Sequence, residues 1–332
     1  MTTATLQALR RQLEERQTRL RTAIANDGPE PDLVGLLLQV DSALDKLGTA
    51  DYGRCLVCEE HVEDKELLHN PLLEYCLCAM TREQQRALEQ DLELARRIQA
   101  GLLPDPSLRA AGWEASYHYE PAGVVSGDYC DLWRQPESPE MIYFAVGDVA
   151  GKGVAASLLM AHLQASFRSL AGAGVPLAEL VGHVNQELVR ASLPTHYATL
   201  AFGRARAGGE IEIVNAGHCP PLVFRSGVVE ALAPTGFPVG IVAERSYEAT
   251  RFTLGDGDAL LLYTDGLTEA ETVDGDEYGQ ARIERLLAGR GRTADARGLV
   301  LAVRNDLKAF LGDAKRADDL TVMALRRADG AG

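Results

Sequence analysis

Apolar residues in the first hundred positions recur at helical spacing. Leu6, Leu9, Leu13, Leu20 and Ile24 mark a helix over residues 5–25, with a near-heptad stripe interrupted by Arg16 and flanked by Arg, Glu and Gln. Asn26-Asp-Gly-Pro29 breaks it. A second stripe of Leu33, Leu37, Val40, Leu44 and Leu47 follows, with Gly48 as a stop, so the two helices are expected to form a hairpin. Thr81-Arg-Glu-Gln84 has capping-box spacing and opens a third helix, which runs to about Leu103 and is closed by Pro104-Asp-Pro106. Its stripe is Leu88, Leu92, Ala95, Ile98 and Leu102. So narrow a stripe suits a partner helix, which predicts a coiled-coil connector that dimerises the chain; packing on its own domain is the plainer alternative.

From residue 113 the pattern changes to short β-rich runs separated by Gly, Pro and Asp. Strands are predicted at 113–119, 141–146, 196–204, 210–214, 221–224, 259–264 and 320–325, and helices at 154–171, 177–192, 280–289 and 294–311. Strands come in clusters and helices in pairs, without strand–helix alternation. This predicts an α+β, mostly antiparallel arrangement with helices outside the sheets.

The 332 residues suggest about two folded units, and a hydrophobic fraction of 46% is ample for a core. The balance of 33 Lys+Arg against 48 Asp+Glu gives a net charge of −15, which argues against nucleic-acid backbone binding. No apolar run has membrane-spanning length and the N-terminus has no hydrophobic signal core, so a soluble, cytoplasmic protein with no membrane partner is expected. Four of the six cysteines, Cys55, Cys58, Cys76 and Cys78, lie close together, which in a cytosolic chain suggests a metal site before disulfides.

Candidate chemistry lies in aspartates at strand ends. Asp148 and Asp265 each end an apolar run at a turn, Asp318-Asp319 precede the final run, and Asp128 sits in Ser126-Gly-Asp-Tyr129. Carboxylates converging from distant segments suit hard divalent cations such as Mg²⁺ or Mn²⁺, and two such ions can orient water for in-line attack on phosphorus. The plain alternative for each one alone is an ordinary Gly-Asp or Asp-Gly turn. Residues 147–153 (GDVAGKG) are not a phosphate-binding P-loop, because Val146 stands where the upstream Gly is needed and no Ser/Thr follows Gly-Lys.

In order, LARRIQAGLLP at 94–104, SGDY at 126–129, GDVAGKG at 147–153, NAGHCPP at 215–221, TDGLTE at 264–269 and DDLT at 318–321 resemble the metal-dependent (protein phosphatase 2C-like) PPM phosphatases, in their bacterial SpoIIE-like branch, over roughly residues 92–326. The resemblance implies a four-layer αββα phosphatase sandwich with a binuclear Mn²⁺/Mg²⁺ centre. Asp148 would bridge the ions, the Val149 carbonyl would complete one shell, and Asp265 and Asp318 would bind on one side. Asp128 would act directly or through a bound water. A metal-activated water would hydrolyse a phosphoserine or phosphothreonine monoester, with Asp148 and Asp265 essential to catalysis. Ala150 stands where animal relatives carry a possible general-acid His, Lys152 where many bacterial relatives have His, and Cys219 where Asn is usual, so no general acid is assigned. His162, His183 and His196 read as helix-face or core histidines, and His218 as either a turn-stabilising residue or a substrate contact.

Cys55-Leu-Val-Cys58 and Cys76-Leu-Cys78, with the helices around them, resemble a DksA/TraR-type zinc finger over roughly residues 5–90. The second pair departs from that family's spacing, with Ala79 at the expected ligand position, so the fourth ligand is open between Cys78, His61 and His69. The inter-helix turn carries Asp27, Glu30 and Asp32, a poor basis for an RNA polymerase contact; a sensory or dimerising input module is expected instead.

The resulting organisation is a helical hairpin and zinc-finger-like module at 1–80, a helical linker at 81–105 and a phosphatase domain at 106–328. By resemblance, the substrate would be a phosphorylated anti-sigma-factor antagonist in a partner-switching pathway; the connector helix predicts a homodimer through the N-terminal helices. A pseudophosphatase scaffold, a transcription-associated binding protein and a hydrolase of small phosphate esters are the alternatives.

Overall fold

A computed structural model describes residues 3–27, 31–49, 51–76, 78, 80–136, 138–151, 153–191, 197–290 and 294–328. It divides into two compact units, Met1–Gln90 and Asp91–Gly332.

In the first unit, α1 (Thr3–Asp27) and α2 (Pro31–Lys46) pack through the predicted stripes. Leu9, Leu13 and Leu20 are buried with Val40, Ala43 and Leu47, and this small core extends to Tyr52, Cys55, Val62 and Leu67. A short α3 (Asp64–His69), absent from the sequence pattern, supplies Leu67. The turn at 28–30 lies outside the described residues. α4 (Arg82–Leu102) follows, and its capping box forms as expected. Thr81 N–H donates to Gln84 Oε1 (2.8 Å), and Gln84 N–H donates to Thr81 Oγ1 (3.2 Å).

The second unit is built on two wholly antiparallel sheets. Its elements are β1 (Ser107–Ala110), β2 (Trp113–Glu120), β3 (Asp128–Gln135), β4 (Ser138–Val149), α5 (Val154–Leu170), α6 (Leu177–Ala191), β5 (Ala198–Arg206), β6 (Glu210–Ala216), β7 (Leu222–Arg225), β8 (Val228–Ala231), β9 (Thr250–Thr253), β10 (Ala259–Tyr263), α7 (Asp265–Thr268), α8 (Gln280–Arg290), α9 (Ala296–Leu311) and β11 (Leu320–Arg327). One sheet has the order β1-β2-β11-β10-β7-β8 and the other β3-β4-β5-β6-β9.

Period-two alternation sorts the side chains into three apolar layers. On β4, Ile142, Phe144 and Val146 enter the layer between the sheets, while Met141, Tyr143 and Ala145 face α5 and α6. On β10, Leu260 and Leu262 point between the sheets, and Leu261 and Tyr263 pack with α8 and α9. Helices thus cover both outer faces, giving the expected four-layer αββα sandwich. The central strands read as continuous apolar runs because both of their faces are buried.

Four strands escaped the pattern. β1, β8 and β9 are four residues each and lie at or next to sheet edges, where little apolar signal is required. β3 was hidden by Asp128 and Asp131, which look like turn residues. Asp131 is fully buried and tolerated because Arg168 of α5 binds both its oxygens, at 2.8 and 2.7 Å.

Candidate metal centre and cysteine cluster

The strand-end aspartates gather where β3 and β11 begin and β4 ends. Asp128 and Asp148 face each other in the β3–β4 register. Asp128 is buried, and its Oδ2 accepts hydrogen bonds from Thr264 Oγ1 (3.0 Å) and from Thr321 Oγ1. Thr264 precedes Asp265 at the start of α7, and Thr321 follows Asp318-Asp319 on β11. The two threonines also bond each other's backbone, since Thr321 N–H donates to Thr264 Oγ1 (3.0 Å) and Thr264 N–H to the Thr321 carbonyl (3.1 Å). One carboxylate therefore ties together three segments far apart in sequence.

Burial pushes the Asp128 carboxyl well above its usual range, and the charges of Asp148 and Asp319 push it further. Glu269 is raised by burial and by Asp265, Glu277 and Asp318. Such mutual repulsion is relieved by a cation. Gly127 leaves space for one, because a Cβ there would lie 3.0 Å from the Val149 carbonyl and 3.2 Å from Asp148 Oδ1. The all-oxygen donors suit a hard divalent ion that keeps several waters. Among the described residues, no three carboxylates bring oxygens within 4.8 Å of one another, a spacing that the four cysteine thiols do reach.

Several residues at this centre carried no assigned role in the sequence, although their motifs did. Thr264 and Thr321 are two. Asp319 is a third: its carboxylate accepts from Ala122 N–H (2.7 Å) and Gly127 N–H (3.0 Å), fixing the loop before Asp128. Gln99 of α4 is a fourth. It is buried, donates to the Ser126 carbonyl (2.7 Å) and accepts from Ser126 N–H (3.0 Å), two residues before Asp128.

His218 takes the turn-stabilising role. Its N–H donates to Asn215 Oδ1 (2.8 Å), and Nδ1 lies 2.9 Å from Thr199 Oγ1, opposite Asp148 across β4–β5. Burial drives its ring pKa down to about 4, opposed by the Tyr263 backbone, and Nε2 has no hydrogen-bond partner among the described residues. Cys219 is raised to about 12 by burial and by Asp265, Glu269 and Asp128. His162 is half-buried on α5 and His183 exposed on α6. His196 and Lys152 lie outside the described residues.

In the first unit, Cys55, Cys58, Cys76 and Cys78 place four thiols within 4.8 Å of one another. Cys55 Sγ is 3.4 Å from Cys78 Sγ, and Cys58 Sγ is 3.6 Å from Cys76 Sγ. Tetrahedral Zn–S bonds of ~2.3 Å set sulfurs roughly 3.8 Å apart, so the cluster needs little adjustment. Backbone N–H groups, that of Cys76 foremost, lower the Cys55 thiol to about 6. Cys78 brings a fourth thiol to the cluster despite its one-residue spacing. His61 is engaged elsewhere, with Nδ1 at 2.6 Å from the Val62 carbonyl.

Two antiparallel sheets covered by helix pairs, with acidic residues gathered where strands of both sheets end, define a PP2C-type phosphatase domain. The family model described as "Stage II sporulation protein E (SpoIIE)" matches residues 138–328, more than half of the chain, and the protein belongs to that family. It is similar to Protein IcfG of Synechocystis sp., 26% identical over 267 residues, covering 71% of this chain but only 41% of IcfG. It is also similar to the phosphoserine phosphatase RsbU of Bacillus subtilis, 24% identical over 246 residues, covering 73% of this chain and 72% of RsbU. The SiaA PP2C domain of Pseudomonas aeruginosa shares the fold, with a TM-score of 0.63 at 22% identity, covering 73% of this chain and 98% of that domain.

Proposed function

We propose that this protein is a divalent-cation-dependent protein serine/threonine phosphatase of the cytoplasm, with Asp128, Asp148, the Val149 carbonyl, Asp265 and Asp318 holding two Mn²⁺ or Mg²⁺ ions. The observation that carries this reading is the Asp128 hub, where one buried carboxylate collects threonines from the Asp265 and Asp318 motifs while facing Asp148. When bound, the ions supply acidification of water and charge neutralisation at the phosphoryl group. The chain's own residues set the geometry. Thr264 and Thr321 fix one oxygen of Asp128, Asp319 holds the loop beneath it, and Gly127 keeps the space open. His218, hydrogen-bonded to Asn215 and beside Thr199, braces the turn next to the centre.

The substrate is proposed to be a phosphorylated anti-sigma-factor antagonist in a partner-switching pathway, as the resemblance to the SpoIIE-like branch implies; the similarity to RsbU, a phosphoserine phosphatase, supports the phosphoserine part of this reading. Regulation is assigned to residues 1–80, with zinc held by Cys55, Cys58, Cys76 and Cys78, acting through the 81–105 linker on the phosphatase domain at 106–328. Two observations support this. Gln99 of α4 grips Ser126, and Leu88 and Ile98 on the α4 stripe stay 39% and 58% exposed, as a helix awaiting a second copy would leave them. Among the described residues, no helix is long and apolar enough to cross a membrane.

The test is phosphate release from an aryl phosphate and a phosphoserine peptide, with and without Mn²⁺. Wild type should need Mn²⁺, and Asp148→Asn or Asp265→Asn should lose more than about 100-fold, beyond the loss typical of residues outside the metal's own ligands. Mutants that keep full metal-dependent activity would overturn the assignment. A scaffold would instead bind metal and phosphoprotein and release no phosphate.

A further inference from the structure

Next to the turn that carries Asp318, a cleft of about 320 Å³ opens between the C-terminal half of α9, the loop after it and the end of β2. Leu307 and Leu311 form its buried floor, and Arg304, Lys308, Arg316 and Glu120 line its walls. Arg316 is a fixed wall. Its guanidinium donates to the backbone carbonyls of Glu120 and Asp318, each at 3.2 Å, and pairs with the Glu120 carboxylate at 2.8 Å. The cleft is therefore pinned to the same turn as the candidate metal ligand.

Arg304 and Lys308 are different. They stand one helical turn apart, both exposed, and neither has an acidic partner among the described residues. Arg204 and Arg251 share Glu212, Arg282 takes Asp306 and Arg109 takes Glu114, whereas Arg304 and Lys308, like Arg190, Arg297 and Lys315, have no ion pair among the described residues; what sets these two apart is their place on the cleft wall. In a chain of net charge −15, two unmatched cations beside a carboxylate centre form a local positive rim. A rim of this kind selects partners by charge complementarity rather than by buried area.

We propose that this cleft docks acidic side chains flanking the phosphorylated residue of the substrate, so that the partner is a phosphoprotein segment carrying Asp or Glu near its phosphoserine. The proposal rests on the phosphatase reading and adds the substrate's sequence chemistry. Arg304 and Lys308 are specificity residues, outside the metal centre, and should not affect substrates lacking an acidic flank.

The experiment uses the full chain as wild type, Arg304→Glu/Lys308→Glu, and the single Arg304→Ala and Lys308→Ala variants. Two fluorescent phosphoserine peptides are compared, one with flanking Asp and Glu and one with Asn and Gln in their place. Binding is read by anisotropy, and turnover on an aryl phosphate is measured alongside. The double variant should weaken the acidic peptide about tenfold, the scale expected for reversing two exposed charge pairs. The neutral peptide and the aryl phosphate should be unchanged, and the acidic-peptide preference should shrink in high salt. Equal affinity of wild type and variants for the acidic peptide, or an equal loss on both peptides, would overturn the docking role. Loss of aryl phosphate turnover would also overturn it, by placing these cations on the phosphoryl group itself. Absence of any aryl phosphate turnover in wild type would instead count against the phosphatase reading, while anisotropy would still decide the cleft. Should the double variant not fold, the alanine variants give the same discrimination at smaller amplitude.

Discussion

Asp128 depends on its two threonines for both orientation and charge. A hydroxyl that donates to a carboxylate favours the ionised form, against the burial and the Asp148 and Asp319 charges that disfavour it. Thr321→Val keeps the shape and removes one donor, so Mn²⁺ affinity should fall by roughly 10–100-fold, the scale of outer-shell changes; a metal titration by calorimetry checks it. Gly266 is equally constrained, because a Cβ there would collide with the Asp319 carbonyl. Gly266→Ala should displace Asp265 from Asp318 and reduce Mn²⁺ binding even where the protein still folds.

His218 gives a pH prediction at the same scale. Its pKa falls from 6.5 to about 4 in the fold, so the unfolded chain binds the extra proton first as pH drops. Its contribution to stability is therefore full above pH 6.5 and is lost as pH falls toward 4. At 1.36 kcal/mol per unit, the loss is about 3 kcal/mol. Urea midpoints at pH 7 and pH 4.5 should show a smaller acid-side drop in His218→Asn than in wild type; parallel curves would refute it.

Among the elements, α4 joins its periodic stripe to a single buried polar contact. Replacing Gln99 with Leu would leave the Ser126 N–H and carbonyl unpaired in a buried site, costing about 1–3 kcal/mol. Lowered thermal stability together with a changed Mn²⁺ affinity is expected, and a stability change alone would mean that the contact is only structural. The α4 stripe was legible from spacing, and so was its Thr81–Gln84 cap, because both are local. Gln99 was not, since a glutamine one position from the apolar stripe looks like solvent-facing filler until the Ser126 loop before β3 meets it. β3 itself was illegible for the matching reason: Asp131 reads as a turn residue unless Arg168, 37 positions away, is known to neutralise it.

On the scale of the whole chain, three apolar layers stabilise the second unit, while the first has only a small core around Leu9, Leu13 and Val40. A segment with so little core gains from a structural metal. Metal analysis of the full chain purified without chelator should find one zinc bound. Cys78→Ser should lose it, and His61→Ala should retain it because that ring already faces the Val62 carbonyl. Light scattering at working concentration should give a dimer, and Ile98→Glu on the exposed α4 stripe should shift it toward monomer.

The linear pattern determined what depends on neighbours a few residues apart: the long helices, the α4 cap, the buried central strands with their two-residue alternation, and the acidic motifs at strand ends. It also carried enough ordered motifs to identify the family. Only the tertiary structure decided which side chains share a site. Thr264 and Thr321 meet at Asp128 because antiparallel β10–β11 pairing brings positions 57 residues apart into contact. Cys78 joins the cluster because the second turn, fixed by the Leu56 N–H bond to the Glu74 carbonyl (2.8 Å), presents it toward Cys55. Ligand spacing along a chain constrains a site only within one turn. Across separate strands, chain packing sets the distances.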